Sequence, residues 1–253
     1  KDLKTGELLA DELLNCSTSV AWAADSKAIV YTVIDENHRE KWVYRHKLGE
    51  KQSEDKLIYE EPDDGFFLGV SMTESEKWIV ISSNNHDSSE SRLLDASDTD
   101  KEPILVEPRV EGTRYEVTDH GDCLLILTNA DKSTDNKVVY APITSPSKDH
   151  WTDLIPHKPG VLIKAITTMK GFLVLSEREN ALPRLVVAEC PLPTEGKVNL
   201  GSQHSISFPE EAFALGLSSF EWDTETMRFT YSSPTTPEST FDYNVEKSAG
   251  GHR

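Results

Sequence analysis

Residues 19–32 read Ser-Val-Ala-Trp-Ala-Ala-Asp-Ser-Lys-Ala-Ile-Val-Tyr-Thr. This stretch contains an apolar run that opens at Val20, a turn at Asp25-Ser26-Lys27, and a denser apolar run that begins at Ala28. The same unit recurs along the chain, with further openings at Val70, Tyr115, Ile163 and Leu217. Successive openings are therefore 45 to 54 residues apart, which indicates a repeat architecture.

Each unit also contains later runs at nearly fixed offsets. The second runs begin at Ala28, Trp78, Cys123, Phe172 and Met227, and the third runs at Trp42, Ser91, Lys137, Arg184 and Thr240. A fourth, outer run lies at 57–59, 104–106, 151–155 and 205–208. These runs are rich in β-branched and aromatic residues and are too short for helices. The pattern predicts an all-β protein, a β-propeller of about five four-stranded antiparallel blades.

The repeat predicts one continuous body without a linker. We place the blades at about 20–69, 70–114, 115–162, 163–216 and 217–247. Residues 1–19 are interpreted as outer strands of a preceding blade. Because an incomplete ring has open strand edges, we expect self-association through those edges.

Composition narrows the class of protein. The net charge is −18, which disfavours nucleic-acid binding, and 37% of residues are hydrophobic, with no apolar run of the roughly 18 residues that a membrane span needs. The acidity either attracts cationic ligands or keeps the surface solvated. The chain opens without the apolar core of a signal peptide and its three cysteines form no Cys-x-x-Cys pair, so we expect a cytoplasmic, reducing location.

Motifs for catalysis and cofactors are missing from the sequence. Gly69-Val70-Ser71 and Gly216-Leu217-Ser218 begin like a nucleophile elbow but do not complete Gly-x-Ser-x-Gly. The sequence has no phosphate loop, no dinucleotide fingerprint and no zinc-binding helix motif. We therefore predict no catalytic residue, no metal site and no cofactor in this chain.

Several stretches, in order along the chain, resemble the propeller of oligopeptidase B, a branch of the prolyl oligopeptidase family of serine peptidases. They are Ser19–Ser26, Asp55–Asp64, Ser91–Asp95, Tyr115–His120, Trp151–Pro156 and Tyr231–Pro237 with Phe241-Asp242-Tyr243. The resemblance implies a seven-bladed propeller that caps an α/β-hydrolase domain of the same polypeptide. It also implies cleavage of short basic peptides after Arg or Lys, with the propeller limiting access by size. None of the Ser, Asp and His triad positions falls within this chain.

Candidate binding residues follow from the expected position of the hydrolase domain. Arg109, Arg114, Asp119 and His120 flank the opening of the middle blade, where tunnel-facing or interdomain contacts are expected. Arg109 and Arg114 either pair with carboxylates of the hydrolase domain or are surface arginines with nothing bound.

Two alternatives from other classes stay open. A free-standing propeller could act as a protein-binding scaffold, because the propeller fold hosts many functions. A carbohydrate-active propeller is the third possibility, but no paired-acid motif can be placed in the sequence. The codons that follow Arg253 would separate the first two interpretations.

We expect this chain alone to hydrolyse no basic p-nitroanilide peptide and to resist fluorophosphonate labelling, because it lacks a nucleophile elbow. The measurement is labelling of the purified chain beside an active serine hydrolase as a positive control. Labelling of the chain would show that its chemistry has been misread.

Overall fold

The computed structural model describes residues 1–218 and 221–246, and its regular structure is almost entirely β. Two short 3-10 helices, Gln52–Glu54 and Lys148–His150, lie in connections between strands. The chain divides into two compact units, Lys1–Gly112 and Thr113–Arg253. The all-β prediction is confirmed.

The first unit contains two four-stranded antiparallel sheets whose strands follow chain order. The strands of sheet 1 are β1 (Cys16–Trp22), β2 (Ala28–Ile34), β3 (Glu40–Lys47) and β4 (Lys56–Glu60). The strands of sheet 2 are β5 (Phe67–Met72), β6 (Trp78–Asn84), β7 (Ser89–Asp95) and β8 (Ile104–Glu107).

The second unit contains three more antiparallel sheets, also in chain order. Sheet 3 consists of β9 (Tyr115–His120), β10 (Cys123–Thr128), β11 (Lys137–Pro142) and β12 (Thr152–Ile155). Sheet 4 consists of β13 (Val161–Met169), β14 (Gly171–Glu179), β15 (Leu182–Cys190) and β16 (Gln203–Ser205). Sheet 5 has three strands among the described residues, β17 (Ala214–Leu217), β18 (Thr226–Ser232) and β19 (Ser239–Asn244).

The sequence repeat locates most strands to within two residues. The second runs predicted at Ala28, Trp78 and Cys123 begin where β2, β6 and β10 begin. These strands are dense in β-branched and leucine side chains because both of their faces are covered, and every residue of β10 is buried.

Several predicted boundaries differ from the structure. β1 begins at Cys16 and β5 at Phe67, ahead of the openings predicted at Val20 and Val70. The fifth unit opens at Ala214 instead of Leu217, because a short strand that contains Gly216 gives a weak apolar signal. The outer strand predicted at 205–208 lies at Gln203–Ser205, and Phe208 precedes a proline, which ends regular pairing. Residues 1–15 form no strand, while residues 16–19 belong to β1, so a preceding blade formed by 1–19 stays a prediction.

Hydrophobic cores lie between neighbouring sheets of the same unit. Val30 and Val43 of sheet 1 pack with Ile79, Ile81 and Leu94 of sheet 2, and all five are almost fully buried. In the second unit, one core joins sheets 3 and 4 and another joins sheets 4 and 5. Each sheet is thus stabilised chiefly through the face that its neighbour covers.

Strand direction distinguishes the two sides of a sheet on which its strands begin and end. We use the word edge for such a row of strand ends, as distinct from an outermost strand. Because the strands are antiparallel and in chain order, the first and third strands begin at the edge where the second and fourth strands end. We call this the entry edge of a sheet. The turns that join first to second strands lie at the opposite edge, as Gly121 does in sheet 3.

Gly121 should tolerate substitution poorly. Its φ is +66°, and an added Cβ would lie 2.9 Å from Cδ of Pro193. Gly160 is a matched control, since its φ is +83° but an added Cβ would have no atom within 4 Å. We expect Gly160→Ala to cost about 1 kcal/mol of unfolding free energy from backbone conformation alone, and Gly121→Ala to cost clearly more. Urea unfolding of both variants measures the difference, and equal losses would contradict the close approach of Pro193.

Candidate functional site at the strand ends

Arg109 lies just after β8, at the entry edge of sheet 2, and is bound by carboxylates of its own unit. Its guanidinium holds Glu61 with two hydrogen bonds, Nη2 to Oε2 at 2.7 Å and Nη1 to Oε1 at 3.1 Å. Glu61 follows β4, so the ion pair links the entry edges of sheets 1 and 2. Such a bidentate arrangement is the strongest form of an arginine–carboxylate pair.

Glu61 is satisfied on every side although only 2% of its side chain is exposed. Besides Arg109, its carboxylate accepts hydrogen bonds from the hydroxyl groups of Ser83 and Tyr59 and from the backbone N–H of Asp63, the last at 2.9 Å. These donors replace the water that the carboxylate loses on burial.

A second carboxylate and two aromatic rings complete the cluster. Glu90 accepts the backbone N–H of Arg109 at 3.1 Å and the side chain of Arg92 at 2.7 Å. The Arg109 guanidinium lies 3.9 Å from the ring centroid of Phe66, and that of Arg92 lies 4.1 Å from the centroid of Tyr59. Cation–π contact of this kind covers the faces of both guanidinium groups.

The cluster holds its acids ionised. Burial opposes the charged form of Glu61, but the hydrogen bonds from Arg109 and Ser83 outweigh it and lower the pKa of the carboxyl. Burial also opposes the charged form of Glu90, but the hydrogen bonds from the backbone N–H of Arg109 and the side chain of Arg92 outweigh it, so the pKa of Glu90 is lowered. The hydrogen bond from Glu61 raises the pKa of Arg109. The arrangement favours fixed charges over proton transfer.

Arg114 is exposed at the start of β9, at the entry edge of sheet 3. It lines a cavity of about 140 Å³ together with Lys164 of β13. No ion pair within 4.0 Å involves the side chain of Arg114 or Lys164 among residues 1–218 and 221–246.

Asp119 and His120 lie at the other end of β9 and are fully buried. His120 Nε2 donates to the carbonyl oxygen of Cys190 at 2.8 Å, which places the proton of the neutral ring on Nε2. Burial lowers the pKa of His120 and favours that neutral form. In this structure the imidazole links the end of β9 to the last residue of β15.

The three predicted binding residues of the second unit do not form one cluster, because the extended chain from Arg114 to His120 spans roughly 20 Å. Arg109 belongs to the first unit. Arg109 is not a free surface arginine, because its guanidinium has partners in its own unit. The tunnel-facing or interdomain role of all four stays a prediction.

Sequence reasoning misses the residues that organise the site. The acidic run Glu60–Asp64 is typical of a polar loop end, although Glu61 within it is buried. A usable signal exists for Lys164, a lone charge inside the apolar run 161–166. For Glu61, the charged partner that makes burial possible is Arg109, and a spacing of 48 residues leaves no local pattern in the sequence.

Within the described residues, no group of three or more His, Cys, Asp or Glu side chains is arranged to hold a metal ion. None of the helices in the same ranges is long and apolar enough to cross a membrane.

Breaking the Arg109–Glu61 pair should destabilise the first unit. Arg109→Gln leaves the buried carboxylate of Glu61 without its arginine, while Glu90 keeps Arg92 and the backbone N–H of residue 109, and we expect a loss of about 3–5 kcal/mol in unfolding free energy. Arg228→Gln is the control, since Arg228 also binds its partner, Asp242, with two hydrogen bonds but in an exposed pair, where little loss is expected. Denaturant titration measures both variants.

The same pair predicts a pH dependence. Because the folded-state pKa of Glu61 is lowered, its carboxylate stabilises the fold above its unfolded pKa, and this contribution is lost as the pH falls through the folded value. Glu61→Gln should therefore lose less stability than the wild type on acidification from pH 6 to 3. Parallel pH profiles of the two proteins would contradict this assignment.

The chain is similar to curated peptidases over nearly its whole length. It is 35% identical over 248 residues to dipeptidyl aminopeptidase BI of Pseudoxanthomonas mexicana, covering 97% of this chain and 33% of that protein. It is 31% identical over 250 residues to protease 2 of Moraxella lacunata, covering 97% and 34%. The chain thus spans about a third of the length of these relatives.

Solved structures give the same result. Oligopeptidase B of Trypanosoma brucei with covalently bound antipain, in its closed form, matches with a TM-score of 0.87 and 32% identity over 94% of this chain and 34% of that one. Oligopeptidase B of Leishmania major matches with a TM-score of 0.85 and 27% identity over 95% and 34%.

The family described as prolyl oligopeptidase, N-terminal beta-propeller domain, matches residues 1–250. The successive four-stranded antiparallel sheets agree with that description. The resemblance inferred from the sequence is therefore confirmed, and the chain belongs to the β-propeller domain of the prolyl oligopeptidase family of serine peptidases.

Proposed function

We propose that this chain is the non-catalytic propeller of an oligopeptidase B-like serine peptidase. In the intact enzyme it covers the active site of an α/β-hydrolase domain in the same polypeptide. It admits short peptides and excludes folded proteins by size. The intact enzyme cleaves after Arg or Lys and works in the cytoplasm.

The observation that carries this proposal is similarity to oligopeptidase B across at least 94% of the chain, at 27–32% identity and TM-scores of 0.85 and 0.87. The prolyl endopeptidase structures match less well, with a TM-score of 0.72 and 19% identity for one of them. The difference favours a cleavage preference of the oligopeptidase B kind over cleavage after proline.

The charge of the chain supports basic substrates. It contains 44 acidic and 26 basic residues, so its field attracts peptides that carry Arg or Lys and raises their local concentration. The Arg109–Glu61 ion pair neutralises one positive charge at the entry edge instead of displaying it. Selectivity at the scissile residue belongs to the hydrolase domain in this proposal.

The entry edges of the sheets are the surfaces that we assign to the hydrolase side. The family resemblance implies that the chain continues from its last blade into the hydrolase domain. The fourth strand of a blade ends at the entry edge, so the hydrolase would begin on that side. Arg109 and Arg114 lie at the entry edges of their own sheets, which supports their proposed role as contact residues. For Arg109, such a contact must coexist with its bonds to Glu61 and Glu90.

The alternative is a free-standing propeller that binds protein partners. It is distinguished from the peptidase by the gene sequence that follows Arg253. A Gly-x-Ser-x-Gly elbow within a βα pattern supports the peptidase, and a stop codon supports the scaffold.

Size gating can be tested with one cleavage site in two contexts. The first substrate is a basic peptide with the sequence of an exposed loop of a small folded protein, and the second is the folded protein itself. Both substrates are offered to this chain joined to its hydrolase domain. We expect kcat/KM to be at least about 100-fold higher for the peptide, because the folded protein cannot pass the propeller. Trypsin is the control protease and must cleave both forms. Equal cleavage of both by the intact enzyme would overturn the gating role.

A further inference from the structure

The cavity beside Arg114 is a preformed pocket with positive side chains. It has a volume of about 140 Å³ and lies at the entry edge of sheets 3 and 4, where β9, β11 and β13 begin and β10 ends. Its polar lining includes Arg114, Glu116, Thr128, Asn136 and Lys164.

A β-bulge gives Lys164 its position. Ile163 pairs with Glu177 and Ala165 pairs with Ser176, so Lys164 is the extra residue of β13. Bulges of this kind redirect a side chain away from the regular ladder. The side-chain amide of Asn136 donates to the carbonyl of Ile163 at 2.7 Å, which fixes the backbone immediately before the bulge.

The backbone of Arg114 is fixed in a comparable way. Its N–H donates to Oδ1 of Asn129 at 2.7 Å, and its carbonyl accepts the hydroxyl of Thr128 at 2.8 Å. Both the backbone N–H and the carbonyl of Arg114 are therefore hydrogen-bonded, which fixes the start of β9. The backbone segments that carry the two cations are thus fixed on neighbouring sheets of the same unit.

Charge at the cavity is unusual for this chain. The net charge of the whole chain is −18, yet the lining of the cavity contains two cations and one carboxylate, Glu116. Neither Arg114 nor Lys164 has an ion-pair partner within 4.0 Å in the described parts of the chain. Arg114 attracts Glu116 electrostatically but forms no ion pair with it within 4.0 Å, so two cations and one carboxylate leave the recess with a net positive charge that one added anion would neutralise.

Size and charge select the class of anion. A cavity of about 140 Å³ is below the roughly 300 Å³ of a small-molecule site, so it suits one functional group with its waters. Glu116 and the acidic chain oppose a multiply charged phosphate. A planar carboxylate has one charge and matches the guanidinium fork of Arg114.

We propose that the cavity between Arg114 and Lys164 is a carboxylate-binding site that takes the C-terminal carboxylate of a short peptide or a carboxylate side chain of the hydrolase domain. The peptide source rests on the proposed function. Binding there would hold the C-terminal end of a substrate, away from the bond that is cleaved. The distance from the cavity to the scissile bond would then favour peptides of one length.

Binding can be measured without hydrolysis. The probe is N-acetyl-trialanine, as the free acid and as the C-terminal amide, titrated into the full-length polypeptide that carries this chain and followed by NMR line broadening. We expect the acid to bind at least about tenfold more tightly, and the doubly substituted Arg114→Gln, Lys164→Gln protein to lose this preference.

Two further variants control for folding and for charge in general. Glu116→Gln removes the opposing carboxylate and should tighten binding of the free acid. Lys197→Gln removes an exposed lysine outside the cavity and should leave binding unchanged. If the doubly substituted protein keeps the preference for the free acid and Glu116→Gln does not change its binding, the peptide binds elsewhere.

Kinetics separate the two sources of the carboxylate. Basic peptides with a free or amidated C-terminus are compared in the wild-type and doubly substituted proteins. A KM advantage of the free acid that is lost in the variant identifies the peptide as the source. Without such an advantage, increased protease sensitivity between the domains in the variant identifies the hydrolase carboxylate. If neither the KM advantage nor the change in protease sensitivity is found and the probe does not bind, the proposal is overturned. If the probe binds but no peptide is cleaved, only the peptidase function is overturned.

Discussion

The structure depends on the burial of both faces of its central strands. A four-stranded antiparallel sheet has three hydrogen-bonded ladders and two faces, and β10 shows how far burial can go, since every one of its residues is buried. The cores that join sheet 1 to sheet 2, sheet 3 to sheet 4 and sheet 4 to sheet 5 cover both faces of sheet 4 and at least one face of each other sheet. Because apolar burial is the main favourable term, no single sheet would be stable without the next one. In β1, Ala21 lies in the core that joins sheets 1 and 2, whereas Val20 and Trp22 on the opposite face are each 49% exposed.

This dependence explains what the sequence could predict. Buried central strands need continuous apolar runs, and continuous runs such as Cys123–Leu127 are visible without any structure. Their spacing then gives the number of sheets and the strand order. The predicted start of sheet 5 is wrong because Ala214–Leu217 has a glycine and few large side chains, so its pairing with β18 comes from position and not from pattern.

The polar site could be predicted only in part. Arg109 and Arg114 stand out through their place between blades, which the repeat supplies. Their environments differ for reasons that no local pattern contains. Arg109 meets Glu61 because sheets 1 and 2 are neighbours, and it stacks on Phe66, whereas Arg114 finds no acid within ion-pair distance in the described residues. Two arginines five residues apart therefore act differently: Arg109 is part of the packing, whereas Arg114 is exposed and acts on Glu116 without a close ion pair.

The bulge at Lys164 also affects how this strand can change in evolution. Before the bulge Ile163 packs into the core between sheets 3 and 4, and after it Ile166 does, so the inward positions change from odd to even numbers. A deletion elsewhere in β13 would turn one half of the strand inside out. Loss of the bulged residue itself would leave both halves in phase with β14 and remove only the lysine. The charge at the cavity can therefore be gained or lost through a one-residue insertion or deletion while the hydrophobic core between sheets 3 and 4 is kept.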